Sequence, residues 1–123
     1  MKPMLLCAGF DTGKLMRLSF LAASMGIEMK EVKKDQQGMT LGALCGLEPQ
    51  ANGRAPGGIS REMLVMAFFP DGLMDRFLKA LRDTGDAVAL KAVLTPHNRA
   101  WTLEKLYREI QMEHMVAQGG KKK

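Results

Sequence analysis

Met63-Leu-Val-Met-Ala-Phe-Phe69 carries no polar side chain. A short, continuously apolar run of this kind reads as a β-strand covered on both faces, because a half-exposed strand would alternate. Upstream of it, Glu48–Ser60 holds Pro49, Gly53, Pro56, Gly57 and Gly58 and is the one linker-like stretch of the chain. Downstream, Pro70-Asp71-Gly72 suits a helix start. Leu73, Met74, Phe77, Leu78 and Leu81 then follow at helical spacing until Thr84-Gly85. Val88–Leu94 reads as a second strand and Thr102 to about Val116 as a second helix. In that helix Leu103, Leu106, Tyr107 and Ile110 face inward, with Glu104–Arg108 and Lys105–Glu109 as i,i+4 pairs on a solvated face.

The same order stands upstream of the linker. Met4-Leu-Leu-Cys-Ala-Gly-Phe10 is a second all-apolar strand, and Asp11-Thr12-Gly13 supplies capping oxygens. Leu15, Leu18, Leu21, Ala22 and Met25 form a helical face closed by Gly26. Ile27–Val32 alternates as an edge strand does, and Met39–Leu47 reads as a short helix with Thr40 near its cap. Laying residues 5–26 over 64–85 superposes Leu5, Ala8, Phe10, Gly13, Arg17 and Gly26 on Leu64, Ala67, Phe69, Gly72, Arg76 and Gly85. Composition alone gives roughly one or two such identities. After an insertion Lys30 and Val32 meet Lys91 and Val93, and after another Thr40, Leu41 and Leu44 meet Thr102, Leu103 and Leu106. The sequence thus reads as two tandem βαβα repeats, about 3–47 and 62–117, joined by the linker 48–61 and followed by a disordered basic tail, 119–123.

Two such repeats in one domain predict an α+β fold with a single four-stranded sheet, the all-apolar strands central and the half-polar ones at the edges. The ferredoxin-like order 4-1-3-2 is favoured, because the Pro/Gly-rich linker can serve as a long return between antiparallel halves. A small doubly wound parallel α/β sheet of order 2-1-3-4 is the alternative. In either case the short second helices, or a partner subunit, must cover the other face of the sheet.

The charge gives little hold on function. The formal net charge is +5, but Lys121, Lys122 and Lys123 supply three of that and leave +2 for residues 1–120. Nucleic-acid binding through a folded basic face is therefore not favoured. Cys7 and Cys45 show no metal-ligand or disulfide spacing, and no apolar run reaches the ~18 residues of a membrane span. A cytoplasmic protein with no membrane partner is the expectation. Eleven methionines point to an adaptable core or contact surface.

The familiar chemistries fail on spacing. Gly9-Phe-Asp-Thr-Gly-Lys14 lacks one residue between its glycines and the Ser/Thr after Lys that a phosphate loop requires, so it reads as a capped turn. Neither cysteine has a neighbouring His or cation that would make it a nucleophile. No cofactor motif and no paired carboxylates stand out. Arg54 and Arg61 beside the linker are isolated. What remains is the loop between the last strand and helix, within Lys91-Ala-Val-Leu-Thr-Pro-His-Asn-Arg-Ala-Trp-Thr102. Thr95, His97, Asn98 and Arg99 form a candidate ligand site there, since loops at a sheet end carry function. Thr95 and Asn98 serve equally well as turn closers. Trp101 suits a staple at the helix entry.

This segment, with Leu106, Glu109 and Glu113 after it, resembles a small bacterial domain of unknown function marked by a Lys-Ala-Val-Leu-Thr-Pro-x-Asn-x-x-Trp-Thr-Leu run. The resemblance covers residues 62–115 and marks Thr95, Asn98 and Trp101 as motif positions. It implies a cytoplasmic bacterial protein and carries no activity. Two function classes follow. One is a non-enzymatic binding or regulatory module, expected as a homodimer, using a flat Met-rich patch near Met39–Leu47 or Met112–Met115 for a small-molecule or protein partner. The other is a small enzyme whose pocket brings His97, Asn98 and Arg99 to the polar groups of Gly9–Thr12.

Overall fold

In the computed structural model the described residues are 2–49 and 59–121, with side chains to Glu113. β1 (Met4–Ala8) and β3 (Met63–Ala67) lie side by side at the centre of a four-stranded sheet, with β2 (Glu28–Glu31) and β4 (Leu90–Val93) at its edges. The order is β2-β1-β3-β4, parallel within each outer pair and antiparallel between β1 and β3. Around the sheet lie α1 (Thr12–Ser24), α2 (Leu41–Leu44), α3 (Leu73–Asp83) and α4 (Leu103–Lys121), with a 3-10 turn at Lys34–Gln36.

The expected α+β class and the central and edge positions hold; the ferredoxin-like order 4-1-3-2 does not. The all-parallel alternative has the observed strand order but not the observed direction at the centre. Hydrophobic patterning places a strand in the middle of a sheet because it reports burial, and burial is the same whichever way the neighbour runs.

Both faces of the sheet are covered within the chain. Leu5, Cys7, Leu64 and Met66 point to one face, where Leu18 and Ala22 of α1 and Phe77 and Leu81 of α3 pack on them. Leu6, Ala8, Met63, Val65 and Ala67 point to the other, against Leu41, Leu44, Leu103, Leu106 and Tyr107. This double burial is why β1 and β3 contain no polar residue. Each fully buried Leu stabilises the fold by about 2 kcal/mol.

Hydrogen bonds repeat across an approximate twofold relation between the halves. The Leu41 N–H donates to the Trp101 carbonyl and the Leu103 N–H to the Met39 carbonyl, at 2.9 and 3.0 Å. Gly42 donates to Arg99 and Glu104 to Gln37 in the same way, each at 3.0 Å, around an antiparallel bridge between Thr40 and Thr102. Thr40 caps α2 through the Ala43 N–H, and Thr102 accepts from the Lys105 N–H. Val32 donates to Cys7 as Leu94 donates to Met66. The counterpart of Val32 is therefore Leu94 rather than Val93, one residue from the sequence overlay. A one-residue slip turns a strand residue to the opposite face, and Val93 is indeed 42 % exposed.

Two further expectations change. Glu104 is buried rather than solvated, because its backbone joins Gln37 at the junction of the halves, and its pair with Arg108 reaches out from there. α4 runs past Val116 to Lys121 with no proline to stop it, so residues 119–121 of the expected disordered tail are helical. Lys122 and Lys123 of the basic tail lie outside the described residues, as do residues 50–58 of the linker, with Arg54. No helix among the described residues is long and apolar enough to cross a membrane.

Candidate functional site

Because β1 and β3 are antiparallel, the turn after β3 lies beside the start of β1, and the turn after β1 beside the start of β3. The carboxyl ends of β3 and β4 therefore share one end of the sheet. On the face shared by α2 and α4, α4 is long and α2 stops at Leu44. Gly46 takes a positive φ of 81°, and the chain turns so that Leu47 reaches this end. A cavity of about 620 Å³ opens there, lined among the described residues by Leu47, Met66, Phe68–Asp71, Gly72, Met74, Asp75, Val93–Pro96 and Arg99.

Its walls are mainly apolar. Phe68 sits at φ 63°, the only non-glycine residue with positive φ among the described residues. A left-handed backbone at a bulky residue costs on the order of 1–3 kcal/mol. Phe69 is fixed beside it by an edge-on contact with Phe77 of α3, centroids 6.0 Å apart. Val93 and Met74, 42 % and 36 % exposed, are apolar surface that the fold leaves uncovered.

Of the charged groups at the mouth, Arg99 is paired. Arg99 Nε donates to Glu48 Oε2 at 3.1 Å, and the other carboxylate oxygen of Glu48 accepts from the Thr40 hydroxyl. Gly42 makes room for this pair: a Cβ there would lie 2.8 Å from Glu48 Oε2 and 3.0 Å from Arg99 Cγ. Asp71 and Asp75 stand at the positive N-terminal end of α3, where carboxylates are favoured by the helix dipole. Gly72 begins that helix without a side-chain cap, and the Arg76 guanidinium lies over it.

The loop singled out in the sequence divides here. Thr95 and Arg99 line the cavity. Asn98 is buried and turned away from it: its Oδ1 accepts from the Thr95 N–H, its Nδ2 donates to the Val93 carbonyl, and its own N–H donates to Thr95 Oγ1. Gln36 closes the matching turn of the first half by accepting from the Lys33 N–H. His97 is exposed and packs edge-on against Trp101, centroids 5.4 Å apart, while Lys105 sits over the Trp101 ring.

The pocket expected between His97 and Gly9–Thr12 does not form, because the antiparallel centre sends those two loops to opposite ends of the sheet. Around Gly9–Thr12 the interactions are structural. Asp11 caps α1 by accepting from the Lys14 N–H, and Lys14 Nζ reaches Glu62 and the Ala87 carbonyl. Of the expected Met-rich patches, Met39 is buried, Leu47 lines the cavity and Met112 is 65 % exposed. The side chain of Met115 lies outside the description.

The cysteines sit in separate cores and do not pair. Burial, with Glu31 adding to it, pushes the Cys7 thiol up to about 12. Burial pushes Cys45 up to about 11 against the opposing charge of Lys30. Neither is a nucleophile at neutral pH. Among the described residues no group of His, Cys, Asp and Glu is arranged to hold a metal ion.

Sequence reading missed Phe68 and Met74 as cavity walls, while Leu47 stood at the end of the expected Met39–Leu47 patch. One signal was present: the overlay of the halves puts Phe68 where the first half has Gly9.

The arrangement is a small α+β domain of two strand–helix–strand–helix halves, with an apolar cavity at one end of the sheet. Residues 62–116, the second of those halves, match the family model of a domain of unknown function, DUF3783. The match falls on the stretch that contains the Lys91–Leu103 motif, and the family description names no function. No curated protein and no solved structure matches the chain.

Proposed function

We propose that this protein is a non-enzymatic binding module that takes a small-molecule ligand in the cavity at the carboxyl ends of β3 and β4. The carrying observation is the cavity itself, about 620 Å³ with mainly apolar walls. Ligand sites typically have ~300–1,000 Å³ and few polar groups. Thr95 and Arg99 are the members of the sequence-derived site that contribute to it; Asn98 holds the loop in shape, and His97 stands outside. A non-enzymatic role is supported by the lack of a base and nucleophile within hydrogen-bonding reach of each other around the described lining. A fragment screen followed by backbone amide shifts tests this. Shifts confined to Phe68–Asp75 and Leu94–Arg99 are expected, and Thr95→Ala should weaken the response. Hits that move only α1 or α4 would place the site elsewhere.

The chain is read as one domain of two βαβα repeats, about 3–47 and 62–117, joined by 48–61 and ending in the tail 119–123. The matched hydrogen bonds around Thr40 and Thr102 support an internal duplication. A cytoplasmic location is supported by two cysteines that stay free. A homodimer through the outer face of α1 is the second reading, favoured by Phe20 and Met16, 71 % and 56 % exposed and one helical turn apart. Light scattering on the wild type and Phe20→Glu checks it: a dimer that the substitution dissociates is expected, and a wild-type monomer refutes it.

A further inference from the structure

The two halves differ most at one backbone position. After β1 the chain enters its left-handed turn with Gly9, φ 80°, and after β3 it enters the corresponding turn with Phe68, φ 63°. At Gly9 a side chain is impossible without rearrangement, because a Cβ would lie 2.5 Å from the Arg61 carbonyl oxygen. At Phe68 a ring is present, only partly buried, and it forms a wall of the cavity. Glycine would satisfy the turn without strain, so the aromatic side chain is held there at a cost that the backbone alone does not require. Such strain tends to persist where the side chain is used.

The surroundings limit what the ring can meet. The Arg99 charge is met by Glu48, so an anion finds no unbalanced partner, and the positive end of α3 offsets part of the Asp71 and Asp75 charge against a cation. Apolar surface is what stands open, at Val93 and Met74. Resting on the cavity reading above, we propose that Phe68 is the specificity-determining residue of this site and that its ligand is a small neutral aromatic compound seated against the Phe68 ring. Aromatic rings in contact favour offset or edge-on geometry and gain beyond the area they bury.

The experiment is a titration of the full chain with three probes, indole, benzoate and benzylamine, followed by backbone amide shifts and repeated with Phe68→Gly and Phe68→Leu. Indole should shift the amides of Phe68, Phe69, Asp71, Gly72, Leu94 and Thr95 at lower concentration than either charged probe. Phe68→Gly should weaken indole about tenfold, and Phe68→Leu by less, since it keeps bulk but loses the ring. Thermal melts run alongside confirm that both variants are folded; if Phe68→Gly fails to fold, Phe68→Leu carries the comparison alone. Indole binding in the cavity with unchanged or greater affinity in the folded variants overturns the role of Phe68 while leaving the cavity reading intact. Tighter binding of benzoate or benzylamine there overturns the neutral class. Failure of all three probes to perturb the cavity overturns the aromatic ligand class, and the cavity reading then stands or falls on the fragment screen above.

Discussion

The turn after β1 and the turn after β3 are built on the same backbone plan and put to different use. Both leave a central strand through a left-handed residue and enter a helix. The first is closed: Gly9 lies against Arg61, Asp11 caps α1, and Lys14 is tied to Glu62 and Ala87. The second is open: Gly72 caps α3 without a side chain, and Phe68 faces a cavity. The neighbours decide the difference. Where backbone crowds the turn only glycine fits, and where α2 stops short of the sheet end a large side chain has room. Equivalent topology therefore does not impose equivalent chemistry.

The largest test of this contrast is Gly9→Ala. A new Cβ 2.5 Å from a backbone carbonyl, on a left-handed residue, should remove about 3 kcal/mol or more of stability, read by urea denaturation. A loss under about 1 kcal/mol would mean that the first turn is as open as the second. Next comes the turn that closes the cavity loop. Asn98→Ala leaves the Thr95 N–H and the Val93 carbonyl without their partner and should cost about 2–3 kcal/mol. Gln36→Ala, at the matching but more exposed turn, should cost under about 1 kcal/mol. Equal losses would erase the distinction between the two edge-strand turns.

Phe68→Gly sharpens the comparison from the open side. Relief of backbone strain offsets lost ring packing and a more flexible unfolded chain, leaving stability within about 1 kcal/mol of wild type. A cost matching that of Gly9→Ala would make Phe68 a core residue. The smallest effect concerns a tie between the halves, where Arg17 of α1 bonds Asp86 ahead of β4. The Arg17 hydrogen bond holds the Asp86 carboxyl below its ordinary value. Its contribution is therefore present above the ordinary carboxylate range and lost as pH falls through the depressed folded value. Asp86→Asn should flatten the acid limb of the stability profile and leave the alkaline limb unchanged. An unaltered acid limb would show that the tie adds nothing.

Much of the architecture is legible before any coordinates. The apolar runs at Met4–Phe10 and Met63–Phe69 mark the central strands, Gly26 and Gly85 mark helix ends, and Thr40 marks a cap. Thr95 and Arg99 were found as a loop at the sheet end, but Asn98 was indistinguishable from them because an amide can serve a turn or a ligand alike. Glu104 read as a solvated partner of Arg108 because helical spacing does not report what approaches the helix's first turn.

The sequence by itself determined which strands are central and which are edges, since each of these is a matter of local burial. The tertiary structure alone decided that β3 runs against β1, and with it which loops share an end of the sheet. Strand direction and cavity walls depend on contacts between residues such as Leu47, Phe68 and Leu94, which lie far apart in the chain and carry no mark of one another.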